Sequence, residues 1–292
     1  MRRRAGVPAF LALSMLAACG ETAPGKAAPG TLAGNDLRIV TLSPHLAELA
    51  FAIGAGDLLV GVSAYTDFPE AAAVLPVVGD AFNLDHERLA LLEPDLLLAW
   101  DTGTPVHVVD ELRGRGYRVE VITTTRLKDI PAALSRLGEL TGRPGGGAAA
   151  AFRDGIEAIS ARHEGDADIR VFYQVDARPL YTISGGHFLG ELIDLCGGRN
   201  IFADLDGLAP LVSVEAVLER DPEVLLASSD AGPAAFAEWE RWTGLSAIRY
   251  DAQFLIPADE IGRPTTRLLG GALAVCESLD KAREKRKAYS HD

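Results

Sequence analysis

The sequence carries residue types suited to hydrolytic, redox or metal chemistry, among them six histidines and three cysteines. Their spacing decides what they can do. No nucleophile elbow appears, and no serine or cysteine has a base placed for it by a recognisable motif. The histidines at 45, 86, 107, 163, 187 and 291 do not recur at matching strand ends, as convergent ligands of a zinc or manganese site would. Ser184-Gly185-Gly186 is glycine-rich but lacks the lysine of a phosphate-binding loop. Catalysis, a catalytic metal and a resident cofactor are therefore not expected. Small-molecule binding is the remaining chemistry.

Composition narrows the class further. The net charge is -13, which opposes a nucleic-acid partner, because phosphate backbones are held by clustered Lys and Arg. With 292 residues the chain is long enough for two domains, each around its own core. Residues 1–18 read as a signal peptide. Met1-Arg2-Arg3-Arg4 is basic, and Phe10 to Ala18 is an apolar run too short to span a bilayer comfortably. The run closes on Leu16-Ala17-Ala18-Cys19-Gly20, which resembles a bacterial lipobox and implies acylation of Cys19. Residues 19–36 then form the lipid-bearing cysteine and a flexible Ala, Gly and Pro tether. With Cys19 acylated, Cys196 and Cys276 remain. Export would place them where a bridge is expected, although two separate buried thiols also fit.

The rest alternates apolar strands with helices, an α/β grammar. Strands are predicted at Leu37–Leu42, Leu58–Val62, Leu96–Trp100 and Val119–Ile122. Helices are predicted at Leu46–Ile53, capped by Ser43 and Pro44, at Glu87–Leu92 before Pro94, and at Val106–Arg113. Residues 37–126 form the first lobe. Residues 127–165 read as a linking helical segment, kinked at Arg143-Pro144-Gly145-Gly146-Gly147. Residues 166–286 form a second lobe and 287–292 a tail. The second lobe repeats the first. His45 to Gly54 aligns without gaps on Phe188 to Gly197, and Glu87 to Ala99 on Glu215 to Ala227. The fold expected is two βα lobes with mainly parallel sheets, joined by helix, with a cleft between them at the carboxyl ends of the strands.

Local signatures then point to a family. They include Leu42-Ser43-Pro44, Glu48-Leu49-Ala50-Phe51-Ala52, Gly61-Val62-Ser63 with Tyr65, Asp67 and Pro69, and Asn83-Leu84. They continue with Pro94-Asp95-Leu96, Ala99-Trp100, Cys196-Gly197-Gly198, Asn200-Ile201-Phe202, Val212-Ser213, and Asp259 with Arg263. From Arg38 to about Leu279 the chain resembles the class III substrate-binding proteins of ABC importers. Within them it is most similar to the corrinoid-binding group.

The resemblance implies several things about this chain. A periplasmic or cell-surface protein, membrane-anchored through Cys19 and monomeric, captures a corrinoid and delivers it to a permease driven by an ATPase. Cys196 and Cys276 form a disulfide. A flat macrocycle with an amide rim needs aromatic walls and a few polar groups. Tyr65, Phe82, Trp100 and Tyr181 are the candidate walls. Gly185 and Gly186 would admit backbone close to the ligand, and Asp259 and Arg263 would meet its rim. Glu87 and Glu215, at matching places in the repeat, would dock on the permease, and both also suit a helix N-terminus. Two family tryptophans are missing: Phe82 stands near one, and Ala209 at the other. A haem or siderophore is the alternative ligand, with His45 or Tyr65 as possible axial groups. A sensory lipoprotein and an enzyme are more distant readings.

Overall fold

A computed structural model describes residues 36–290. The expected signal peptide, Cys19 and nearly all of the expected tether lie outside them. Among the described residues no helix is long and apolar enough to cross a membrane.

The first half runs β1 (Ile39–Thr41), α1 (Pro44–Ala52), β2 (Leu59–Gly61), α2 (Glu70–Ala73), α3 (His86–Leu91), β3 (Leu96–Trp100), α4 (Val106–Gly114) and β4 (Val119–Ile122). Next come the linking helices α5 (Asp129–Thr141) and α6 (Gly145–His163). The second half runs β5 (Ile169–Gln174), the short hairpin β6 (Asp176–Ala177) and β7 (Leu180–Tyr181), α7 (Phe188–Leu195), β8 (Gly198–Asn200), α8 (Val214–Arg220) and β9 (Val224–Ser228). It closes with α9 (Ser246–Arg249), β10 (Gln253–Ile256), α10 (Ala258–Ile261) and α11 (Leu268–Tyr289). Helix α11 thus continues past 286, where the tail was expected to begin. The chain there, Lys285-Arg286-Lys287, stays helical, and cations at a helix C-terminus favour that.

The two sheets confirm the internal repeat. One has the order β2-β1-β3-β4 and the other β10-β9-β5-β8, and every pairing in both is parallel. Read from the second strand of each half, the two orders are the same. The match extends to the backbone. Glu93 and Asp221 both adopt φ +41, each just before a proline that bars helical continuation. Arg38 N–H donates to Asp95 at 2.9 Å, and Arg170 N–H to Glu223 at 3.0 Å. Helix α3 is capped by Asp85, and α8 by Ser213, each accepting from an amide three residues on.

Two expectations need correction. The linking segment has the two helices expected of it, but they form a hairpin and not a kinked continuation. Gly142, at φ +72, ends α5, and α6 turns back along it. A Cβ on Gly145 would lie 2.2 Å from the Leu134 carbonyl oxygen, so the two backbones touch there. Nor does each half have a wholly separate core. The strands are buried on both faces, and alternate side chains enter different clusters. Leu96 and Leu98 of β3 join Val224 and Leu226 of β9 in one interior that also takes α1, α5, α6, α7 and α11. Leu97 and Ala99 pack outward beneath α3 and α4, and Leu225 and Ala227 outward beneath α8 and α9. Cys196, at the end of α7, is bonded to Cys276 of α11 with Cα atoms 4.8 Å apart, which ties the last helix to the second half.

Candidate ligand cleft

The carboxyl ends of β3, β4, β5 and β9 converge on one opening between the halves, as expected for open parallel sheets. Two cavities meet there at Trp100. One, about 310 Å³, is shared by the halves. Trp100, Thr124 and Thr125 come from the first, and Tyr173, Ile183, His187, Leu208, Ser228 and Ile261 from the second. The other, about 320 Å³, belongs to the first half and is walled by Tyr65, Phe82 and Trp100 above Ser43, Pro44 and Asp80.

Each aromatic is held by its own local chemistry. Trp100 ends β3. Its amide donates to the Thr104 hydroxyl at 3.0 Å, and its ring stands edge-on to His45 with centroids 4.8 Å apart. A side chain at Gly103 would collide with that ring, its Cβ falling 2.0 Å from a ring carbon. Phe82 rides on a turn built by Asp80, whose carboxylate accepts from the amides of Phe82 and Asn83 at 2.8 and 2.7 Å. Those bonds hold the Asp80 carboxyl below its ordinary range. The Tyr65 backbone is left-handed, at φ +66, and its side chain is 81% exposed at the mouth. An unpartnered aromatic held in the open by a strained backbone is what a binding wall looks like before it is covered.

His45 is buried behind this wall. Its Nδ1 lies 2.7 Å from the Ser43 hydroxyl and its Nε2 3.1 Å from the Thr124 hydroxyl. The Ser43 side chain is thereby drawn away from capping α1, the role its position predicts. Burial, then the Arg263 charge, pushes the His45 pKa down to about 3. Both ring nitrogens are engaged, so His45 has no lone pair free for a metal. His187 caps α7, its Nδ1 accepting from the Leu189 amide at 3.1 Å. Burial lowers its pKa to about 4, so it is neutral and carries its proton on Nε2. Burial, then Asp230, pushes the Tyr173 phenol up, so it too remains a neutral hydroxyl in the cleft.

The other expected site residues are arranged differently. Arg263 lies between the cavity-lining Gly262 and Pro264, but its guanidinium crosses to the first half. It donates to Glu48 at 2.9 Å, to both Asp67 oxygens, and to the Tyr65 carbonyl at 2.8 Å, which occupies its terminal N–H groups. Asp259 is 85% exposed beside that loop and 3.7 Å from Arg267. Arg267 in turn stacks on Phe68, 4.4 Å from its ring centre. Tyr181 sits on the β6–β7 hairpin and lines neither cavity. Gly185 and Gly186 also lie off both linings. A Cβ on Gly185 would approach the Ala203 carbonyl oxygen to 2.8 Å, so packing within the second half explains it. Glu87 and Glu215 are each exposed in the first turn of α3 and α8.

Sequence reasoning missed Tyr173 and His187. Tyr173 sits inside an apolar strand and reads as core. His187 carried one signal, its place just before an apolar helical run, where a capping acceptor belongs. Among the described residues one group offers converging metal-type ligands, His163 with Asp166 and Asp280. Arg283 already neutralises it, 2.8 Å from Asp280 and 3.4 Å from Asp166.

Comparison with known proteins places this geometry. Residues 39–260 match the periplasmic binding protein family. The vitamin B12-binding protein of Vibrio parahaemolyticus is 34% identical over 252 residues, covering 85% of this chain and 91% of that one. That of Yersinia pestis is 37% identical over 249 residues, covering 83% and 86%. The crystal structure of the periplasmic vitamin B12 binding protein BtuF of Vibrio cholerae superposes with a TM-score of 0.77 at 35% identity, over 84% of this chain and 97% of that one. The periplasmic heme binding protein HutB of Vibrio cholerae shares the fold, with a TM-score of 0.71 at 22% identity. A repeated βα architecture, a cleft at the strand ends and these relatives lead to one statement: the chain belongs to the periplasmic binding protein family.

Proposed function

We propose that this protein is the extracytoplasmic substrate-binding subunit of an ABC importer and that it captures a corrinoid, cobalamin or a precursor. The observation that carries the reading is the cleft itself. Tyr65, Phe82 and Trp100 present flat apolar faces on one side, and neutral hydrogen-bonding groups, Tyr173 and His187, stand on the other. A neutral macrocycle with a carboxamide rim matches both surfaces. The names of the relatives support the same ligand. Asp259 and Arg263 flank the mouth, with Arg263 fixing the wall that carries Tyr65. Tyr181, Gly185 and Gly186 support the second half from outside the pocket.

The transport role extends this reading. Glu87 and Glu215 project from equivalent helix starts in the two halves and suit docking on a permease powered by its ATPase. Cys19 supplies a lipid anchor to a monomer at the membrane. Haem is the competing ligand. The engaged nitrogens of His45 remove one axial group, and the capping bond of His187 removes the basic nitrogen of another. The exposed Tyr65 phenol remains as the haem reading's candidate.

Calorimetric titration of the full-length protein with cyanocobalamin, cobinamide and haemin, each alone, tests the reading. Both corrinoids should bind and haemin should not. Binding of haemin alone would overturn it.

A further inference from the structure

Two of the ion pairs that cross between the halves are related by the internal repeat. Glu48 on α1 and Glu191 on α7 occupy the same position of the aligned stretches His45–Gly54 and Phe188–Gly197. Each takes an arginine from the opposite half. Arg263, from the connection after β10, donates to Glu48 at 2.9 Å. Arg126, from the connection after β4, donates to Glu191 at 2.6 Å, and the Leu127 amide adds a second bond to Glu191 at 2.6 Å. Each arginine therefore follows the last strand of its own half, and each acceptor sits on the first helix of the other half.

The pairs are well placed to act on the cleft. The Glu48 side chain is 3% exposed, and its Oε2 has no partner besides. Such a carboxylate is stable only while its arginine is present. The same guanidinium holds Asp67 and the Tyr65 carbonyl, so the loop bearing the exposed aromatic wall is clamped from the far half. The Asp67 carboxyl is held below its ordinary range chiefly by the bond from Arg263. Glu191 has no such loop attached. It meets the chain where the first half passes into α5.

We propose that Glu48 and Glu191 are positioning residues that fix the spacing of the two cleft walls, and that Glu48 also holds Tyr65 in place through Arg263. The effect on ligand binding rests on the corrinoid reading; the effect on the Tyr65 loop does not.

The test uses the full-length protein with Glu48→Gln, Glu191→Gln and Asp67→Asn. Amide hydrogen exchange is followed at residues 63–69 without ligand, and cyanocobalamin dissociation is measured by stopped flow. Glu48→Gln should raise exchange at 63–69 about tenfold or more and speed dissociation by a similar factor, because one partner of a buried charged bond is lost. Glu191→Gln should speed dissociation while leaving exchange at 63–69 as in the wild type. That split is not produced by a general loss of stability, which would raise exchange throughout. Should Glu48→Gln fail to fold, Asp67→Asn, at a side chain 70% exposed, removes the other carboxylate of the same clamp and should free the same segment. Unchanged exchange at 63–69 in folded Glu48→Gln and Asp67→Asn overturns the proposal, as does wild-type dissociation in Glu191→Gln. Failure of wild type to bind cyanocobalamin would count against the corrinoid reading alone, and the exchange result would still decide the clamp.

Discussion

Two neutral imidazoles make this fold sensitive to mild acid. Burial holds the pKa of His45 at about 3 and of His187 at about 4, against 6.5 for an unfolded chain. Both folded values are depressed. Between pH 6.5 and 4, then, the unfolded chain binds about two more protons than the folded one, and stability falls as pH falls. At pH 5 nearly every unfolded imidazole is protonated and nearly every folded one is not. The loss from pH 7 to pH 5 is about 2 kcal/mol for each histidine, or about 4 kcal/mol together. That is a large part of the 5–15 kcal/mol that a domain typically has. Urea unfolding at pH 7, 6 and 5 would show the midpoint falling at constant slope. His187→Asn keeps an acceptor at the cap of α7 and removes the titrating group, so it should recover about half of the loss. Carbon-13 labelled histidine spectra would report the two pKa values directly. An equal pH dependence in wild type and His187→Asn, or a folded His187 that titrates near 6.5, would refute the reasoning.

Other outcomes follow from the cleft and its supports. The pair Glu87→Ala, Glu215→Ala should bind cyanocobalamin as wild type yet fail to restore uptake in cells that carry the permease; normal uptake would remove these residues from docking. Ala209, exposed on the cavity wall, replaces a large stacking surface, so Ala209→Trp should tighten cobinamide binding by up to about tenfold through an added aromatic face. A weaker complex would mean the cavity is already filled. Replacing Cys196 and Cys276 together by Ala should lower stability by about 4–5 kcal/mol on the chain-entropy model, since the bridge closes a separation of 80 residues. Equal urea midpoints would show that the bridge is incidental.

Much of the architecture was legible because it is written in periods. The apolar runs at Leu96–Trp100 and Val119–Ile122 are strands within those same bounds, and the Pro94 and Pro222 matches located the repeat that the two sheets share. Tyr65 and Trp100 could be placed at the cleft since they follow or end strands of the first half, and Phe82 only through the resemblance, near a tryptophan of the family pattern. The second wall was harder. Tyr181 is near the cleft in sequence, but the β6–β7 hairpin carries it away, and sheet pairing is not encoded in its immediate neighbours. Tyr173 looks like core because a strand buried on both faces hides which end of it opens to solvent. The crossed pairs of Glu48 and Glu191 join residues 215 and 65 positions from their arginines, and no local pattern announces such distances. The hairpin of α5 and α6 was mistaken for a kink because glycines permit either, and the contact of Gly145 with Leu134 decides between them only in three dimensions.

The single interior running from one sheet to the other has a mechanical meaning. A jaw that swung wide would have to part α6 from α7 and α11 and wet side chains such as Phe152 and Ile159, at roughly 1.5–3 kcal/mol for each large side chain. No seam of weakness divides the molecule. A guest gains little from being enfolded and must be selected by surfaces that already stand in place. Emptying the slot then calls for an outside force that prises the mouth apart, so a tightly gripping receptor of this build would be slow to release its cargo alone.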